Sequence, residues 1–386
     1  MKGDCYRSTI ARTVDPLTGV EVERLSDDSG DTYHAYFTKP LLALDDSYIV
    51  LVSNRTGRPQ LYTLRFADGW MVQITDEEEL VPFSSVLDAR RHAVYYFAGR
   101  TLYRVRLDNL ETTELMAIPD GYQVNDLSID DAGDYLVFAY MEKLNLCTST
   151  GVLYSGMREA FYRRPLSVII RYDIRQGQPL AVWGEHRVIS HINLHPHDPD
   201  RILFCHEGPW ELVHRLWTID VPRNEVAPLL EQRVGMEKVG HEFFTASGRI
   251  GAQYSVRDRK GEPFYRHGEL FVRIDGSDEQ RYDYPYARPT HFQLSYDERL
   301  GVGDHAQIRA NMDDARHYIS LMRYADHRVH AGLLCRHGTS WKTQMSHPHP
   351  IFTRDDRYVI FSSDEGGQAN VYRVRADWER TIKADR

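Results

Sequence analysis

The sequence predicts an all-β chain arranged as a seven-bladed β-propeller, closed by an N-terminal strand that completes the last blade. Three observations predict it. One antiparallel unit recurs along the chain, the turns inside it are built on Asp or Gly, and no linker interrupts the series. The unit is a short apolar strand, an Asp turn, a Tyr- or Val-rich strand, a polar turn and a third strand carrying Leu-Tyr or Val-Tyr. The clearest copies are LALDDSYIVLVSNRTGRPQLYTL at 42–64 and IFTRDDRYVIFSSDEGGQANVYRV at 351–374.

The same theme centres on Asp88, Asp130, Asp198, Ser247-Gly248 and Asp297, which makes seven copies of about 55 residues in a chain of 386. That is above the ~40–45 of the commonest propeller repeat, so the excess belongs in loops. The largest insertion is expected near 142–166, with helical turns over 157–162. Residues 1–386 therefore read as one domain, and two stacked β domains are the less economical reading because nothing separates them. The ends agree with a ring. The last copy has only three strands before the polar tail 377–386, and GVEVERL at 19–25 resembles the fourth-strand segments at 70–74 and 113–117. Pairing first residues with last leaves no exposed sheet edge.

Composition narrows the function classes. Asp plus Glu outnumber Lys plus Arg by 56 to 47, a net charge of −9, which argues against nucleic acid as a partner. No apolar run approaches the ~20 residues of a membrane span, and the first residues lack the apolar stretch of a secretory signal. Cys5, Cys147, Cys205 and Cys335 lie far apart without a CxxC pair, so they are expected as reduced thiols in a cytoplasmic protein. There is no GxSxG elbow, Walker loop, complete GxGxxG or HExxH, which removes weight from serine hydrolases, nucleotide enzymes and helical zincins.

Histidine, with 18 copies, is where the chemistry concentrates. In up-and-down blades the loops entering first strands and those joining second to third strands share one face. His34, His206, Arg215, His241, His291, His347 and His349 all fall on such loops and are expected around one mouth of the channel. In Gln344-Met345-Ser346-His347-Pro348-His349-Pro350 the prolines hold the chain extended, and alternate residues then present two imidazoles to one side. With His291 and the Gln344 amide oxygen they form a nitrogen and oxygen set suited to Mn, Fe, Co, Ni or Zn. Two rim histidines bonded to backbone are the plainer alternative. His195 and His197 flank a proline in the same way, but they precede an Asp turn at the far strand end and read as structural or solvated.

The segments Phe204-Cys205-His206-Glu207-Gly208-Pro209, Arg215-Leu216-Trp217, Gly240-His241-Glu242-Phe243, His337-Gly338-Thr339-Ser340-Trp341 and 344–350 resemble the oligogalacturonate lyases, a family of seven-bladed β-propellers. The match runs from near Arg158 to the last blade. The resemblance implies a cytoplasmic enzyme of pectin degradation that takes short, often unsaturated oligogalacturonides to 5-keto-4-deoxyuronate by β-elimination. It implies a manganese-type ion on His291, Gln344, His347 and His349, a Brønsted base at His241 and an essential arginine at Arg215. His206, Trp341 and His34 are the expected substrate contacts. An anionic disaccharide can enter an acidic protein if the mouth itself carries a metal, Arg215 and imidazoles. Two other readings stay open at this point: a lyase for a different uronic-acid oligosaccharide, and a non-catalytic propeller that serves as a binding module.

Overall fold

Strands carry nearly all the regular structure of the computed structural model, which describes residues 1–149 and 155–383. Among these residues the one α-helix is Met157–Arg163, so the all-β expectation holds. The described residues form two compact units. The first comprises 1–78, 267–269 and 281–386; the second comprises 79–266 and 270–280.

In the first unit, one sheet runs in the order Cys5–Arg7, Trp70–Gln73, Gln60–Arg65, Tyr48–Ser53 and Thr32–His34. A second runs Ala11–Val14, Glu21–Arg24, Asn370–Arg375, Tyr358–Ser363 and Ile351–Phe352. Its register pairs Val22 with Val374 and Arg24 with Tyr372, antiparallel. A third antiparallel run joins Phe292–Leu294, Gly301–Gly303, Tyr318–Ala325 and Arg328–Arg336, with Ile382–Lys383 against the last of these. The second unit holds four-stranded sheets beginning at Leu80–Asp88, Tyr122–Ile129 and Ile189–Leu194, and the hairpin of Glu237–Phe244 with Ile250–Val256.

Burial falls from second strands to fourth strands. Tyr48–Ser53 and Ala93–Ala98 are near-continuous apolar runs buried on both faces, whereas Thr112–Ala117 is at most half-buried and Glu225–Pro228 is largely exposed. A strand covered on both faces cannot alternate polar with apolar, which is why the middle of each repeat reads as solid Val, Ile, Tyr and Phe. Sheet faces meet in clusters such as Val86, Tyr95, Phe97, Leu127, Leu136 and Phe138 in the second unit, and Val22, Ile319, Leu334, Phe352 and Phe361 in the first.

The Asp turns have two jobs. Asp46, Asp356 and Glu298 each sit at a left-handed backbone position, φ 54, 59 and 57, two or three residues before the second strand; Gly133 and Gly248 take the same place in the other unit. In addition, the Asp46 carboxylate accepts from the Arg354 and Asp355 amides, both at 2.9 Å. The Asp356 carboxylate accepts from the Tyr296 and Asp297 amides at 2.6 and 2.9 Å. Each turn thus satisfies the orphan donors of another.

Within the expected insertion, the helix Met157–Arg163 buries Ala160 against Met141 and Val188, and Glu159 accepts from the Thr148 amide and hydroxyl at 2.9 and 2.8 Å. Residues 150–154 of that insertion lie outside the described residues. All four cysteines are free: Cys205 and Cys335 are buried, Cys5 and Cys147 exposed.

Candidate active site

In the first unit, the segment after Arg336 turns through a 3-10 turn, Gln344–Ser346, closed by a capping box between Thr343 and Ser346. His347 follows in extended conformation, but His349 stands at φ 45, not on the straight extended run that alternation assumes. The twist is held from behind: Pro348 O accepts from the Ser362 amide at 3.0 Å and contacts the His34 Nε2 at 3.2 Å. The two rings still converge, with centroids 5.6 Å apart, and each meets His291, at 5.4 Å for His347 and 4.4 Å for His349. Ligand nitrogens of all three lie within 4.8 Å of one another. The Gln344 amide nitrogen stands 3.1 Å from His349 Nε2, so the nitrogen end of the amide, not the expected oxygen, faces the ring, and Tyr36 and Phe37 pack against the rings.

His291 opens the strand Phe292–Leu294, and a buried carboxylate fixes its ring. Asp304 Oδ2 lies 2.5 Å from His291 Nδ1, while Oδ1 accepts from the Thr290 and His291 amides, both at 2.9 Å. Burial works against the Asp304 charge, but the His291 charge and these hydrogen bonds outweigh it and keep its carboxyl below the usual range. A carboxylate accepting from Nδ1–H leaves the other ring nitrogen as the lone-pair donor, the arrangement that metal-binding histidines show. His347 Nδ1 is buried with no hydrogen-bond partner, and burial followed by the His291 charge pushes its pKa down to about 4. It is therefore neutral near pH 7. Three converging imidazoles, one tautomer set by carboxylate, an orphaned ring nitrogen and an adjacent amide fit a borderline divalent cation.

In the second unit, Arg215 is 4% exposed, and its fork is already engaged: Nη1 and Nη2 donate to Glu207 at 2.8 and 3.1 Å. Its Nε faces Glu242 at 3.7 Å and its plane lies 5.1 Å from the Trp210 ring. Gly240 allows this approach, because a Cβ there would come within 3.2 Å of Nε and 3.1 Å of the Trp210 ring. Both ends of the Arg215 fork are therefore engaged by Glu207. Burial opposes the Glu207 charge, but Arg215 and His191 overcome it and bring its pKa to about 2. His241 stands at φ 55 in a β-bulge between Gly240 and Phe243, with Nδ1 3.1 Å from the buried Gln253 amide oxygen. If that oxygen accepts from Nδ1–H, Nε2 is the basic nitrogen.

The other expected substrate contacts fare unequally. Trp341 lies beside the metal-type set, 5.1 Å from the His347 ring, with its indole N–H on Arg316 O at 3.0 Å. His206 is 3% exposed, held by Glu185 at 2.6 Å and packed 4.9 Å from Trp217. With Glu207 it lines a cavity of about 270 Å³ under Phe161, Tyr162 and Arg164. His34 needs correction. It is 2% exposed in the strand Thr32–His34, and burial pushes its pKa down to about 4. It braces Pro348 between the two histidines and does not face solvent. His195 and His197 are turn residues as expected: His195 Nδ1 accepts from the His197 and Asp198 amides at 3.2 and 3.1 Å. Sequence reasoning missed Asp304, Glu185 and His191; the only signal for them was an acid or imidazole near a strand end.

A family model described as oligogalacturonate lyase matches residues 2–377. The chain belongs to the oligogalacturonate lyase family. An oligogalacturonate lyase of Dickeya dadantii is 26% identical over 378 residues, covering 93% of this chain and 94% of that one. An oligogalacturonide lyase of Pectobacterium atrosepticum is 26% identical over 393 residues, covering 96% and 97%. Among solved structures, an oligogalacturonate lyase in complex with manganese superposes with a TM-score of 0.87 at 23% identity over 98% of this chain and 99% of that chain. The Vibrio parahaemolyticus oligogalacturonate lyase gives the same TM-score and identity over 98% and 100%. The family expected from motifs in the second half thus extends over the first three copies as well. The lyase expectation is met, and the reading as a non-catalytic module is set aside.

Proposed function

We propose that this oligogalacturonate lyase is a metal-dependent enzyme that cleaves short, unsaturated oligogalacturonides by β-elimination to 5-keto-4-deoxyuronate. The observation that carries it is the convergence of His291, His347 and His349, backed by Asp304, in a chain of this family. The proposed ion is manganese, held by those three imidazoles and Gln344; the family neighbour solved with manganese supports the choice. Held there, a divalent ion supplies Lewis-acid stabilisation of charge developing on a uronate carboxylate.

Elimination across C4–C5 starts with loss of a proton α to that carboxylate. His241 is the proposed base, with Gln253 fixing its ring and Nε2 taking the proton. Arg215 is the proposed essential arginine, pairing with Glu207 and facing Glu242 so that these carboxylates are held away from a dianionic sugar. Trp341 and the cavity edge at His206 are the proposed sugar contacts. The finer fold proposal is a single seven-bladed propeller closed by the N-terminal strand, which the Val22–Val374 pairing supports. A cytoplasmic location fits four free cysteines, two of them exposed. No described helix is long and apolar enough to cross a membrane.

The test is to incubate purified protein with manganese, then with chelator, and with unsaturated digalacturonate as substrate. Loss of the unsaturated-uronide absorbance with appearance of the ketouronate, abolished by chelator, is the expected result. No turnover with manganese present would refute the proposal.

A further inference from the structure

We infer that His191 is a second catalytic imidazole of the elimination, donating a proton to the departing C4 oxygen; this rests on the lyase reading above. The backbone points to it first. His191 is the first residue of a β-bulge between Ser190 and Asn193, at φ 51, and His241 is the first residue of the bulge between Gly240 and Phe243, at φ 55. Each lies four residues before the residue that closes the following turn, His195 or Thr245. Left-handed backbone at a histidine is unfavourable and, where it persists, is held by its surroundings. The holder here is Asn193, 5% exposed, whose Nδ2 donates to His191 O at 2.9 Å and reaches Glu242 O at 3.5 Å, so one amide ties both bulges. Bulges re-aim side chains, and these two re-aim imidazoles on neighbouring strands.

The groups around His191 select a proton donor. Its Nε2 is 3.5 Å from Glu207 Oε1, and the ligand atoms of His191, Cys205 and Glu207 lie within 4.8 Å of one another. A metal is the obvious alternative occupant of that trio, and two observations oppose it. The Arg215 fork already sits on Glu207, placing a cation where an ion would have to go. Burial raises the Cys205 thiol well above its ordinary range, so it stays protonated and ligates poorly. An imidazole, by contrast, needs only an acceptor for its ring proton, and Glu207 Oε1 stands 3.5 Å from Nε2 alongside the Arg215 fork. Arg215 stands behind Glu207, and Glu242 lies across the adjoining strand. The side chain of His191 keeps 15% exposure, so a ligand can reach it.

The step balances. As His241 takes the C5 proton, that electron pair forms the C4=C5 bond, the C4–O bond breaks, and the leaving oxygen takes the His191 proton. Water restores both imidazoles to their starting forms. No oxidant, reductant or further reactant is needed.

The test uses the full chain with manganese and unsaturated digalacturonate. His191→Asn tolerates left-handed backbone and cannot deliver a proton; His191→Gly tolerates it too and leaves space for added imidazole. For His191→Asn the expected kcat falls on the order of 100- to 10,000-fold, with KM within threefold and manganese affinity unchanged. For His191→Gly, added imidazole restores at least tenfold of the lost rate. Activity of His191→Asn within threefold of wild type would overturn the inference, as would a loss in both variants that imidazole does not restore. Wild-type protein inactive on the disaccharide would overturn instead the lyase reading beneath it.

Discussion

Asp304→Asn is the substitution that isolates how the chain prepares its metal-type site. Asp304 is fully buried and makes three bonds, two from backbone amides to Oδ1 and one from His291 Nδ1 to Oδ2 at 2.5 Å. Asparagine keeps an oxygen for the two amides, so the loop before Phe292 retains its shape. What changes is the atom facing His291: an NH₂ group meets Nδ1–H donor to donor. The ring relieves this by moving its proton to the other nitrogen, the one a metal would use. Loss of an outer-shell partner of this kind typically costs 10–100-fold in metal affinity, about 1.4–2.8 kcal/mol. The assay is calorimetric titration of manganese into metal-free protein, with thermal melting of the metal-free forms alongside. The expected result is a Kd raised by that factor while the metal-free variant still melts cooperatively. A Kd within threefold of wild type in a folded variant would refute the reasoning, because Asp304 would then not set the tautomer.

Two further outcomes follow from buried charge. Glu269 is fully buried with Tyr284 and Tyr324 donating to its two oxygens, and burial raises its pKa to about 7 from 4.5. A carboxyl with a raised folded pKa contributes stability that is present below ~4.5 and lost as pH rises through ~7, so Glu269→Gln should gain on the order of 3 kcal/mol over wild type between pH 5 and pH 8. Urea midpoints at both values measure it, and an equal difference at the two pH values would contradict the assignment. Glu207→Gln removes the partner that holds the Arg215 fork, and breaking a buried pair from one side should cost about 3–5 kcal/mol in denaturant unfolding; a loss below ~1 kcal/mol would mean that Glu242 alone compensates the arginine.

The site was legible where its residues are neighbours in sequence. His347 and His349 announce themselves because a proline between them fixes their spacing, and His291 because it opens a predicted inner strand. Asp304 was illegible for the opposite reason: it lies 13 residues from His291 across a hairpin, and an acid after Gly301-Val302-Gly303 looks like any turn acid. His191 was hidden by the bulge itself. A period-2 reading of 189–194 assigns each side chain to one face or the other, and an inserted residue that breaks the period leaves no mark in composition. The Asp turns were read correctly as turns, yet their carboxylates also tether other turns, as Asp46 does at 354–355. For Arg215 and Glu207 both residues were singled out, but their mutual fork was not, since eight residues and a loop separate them.

The partners behind the imidazoles sort the histidines by role. A base must begin the reaction without its proton, and an acid must begin with one. His241 is backed by a neutral amide, Gln253 at 3.1 Å, which orients the ring. His191 faces Glu207, a carboxylate kept ionised by Arg215, with its Nε2 3.5 Å from Oε1. His291 also has a carboxylate behind it, but with a second and third imidazole in front, and there the same device holds a tautomer for a metal in place of a proton for an oxygen. His206 has Glu185 behind it and Trp217 against its ring, which fixes the imidazole at the edge of the cavity it lines. On the proposed mechanism, four histidines of one chain would diverge in function through what stands at the second ring nitrogen and how much water reaches the first.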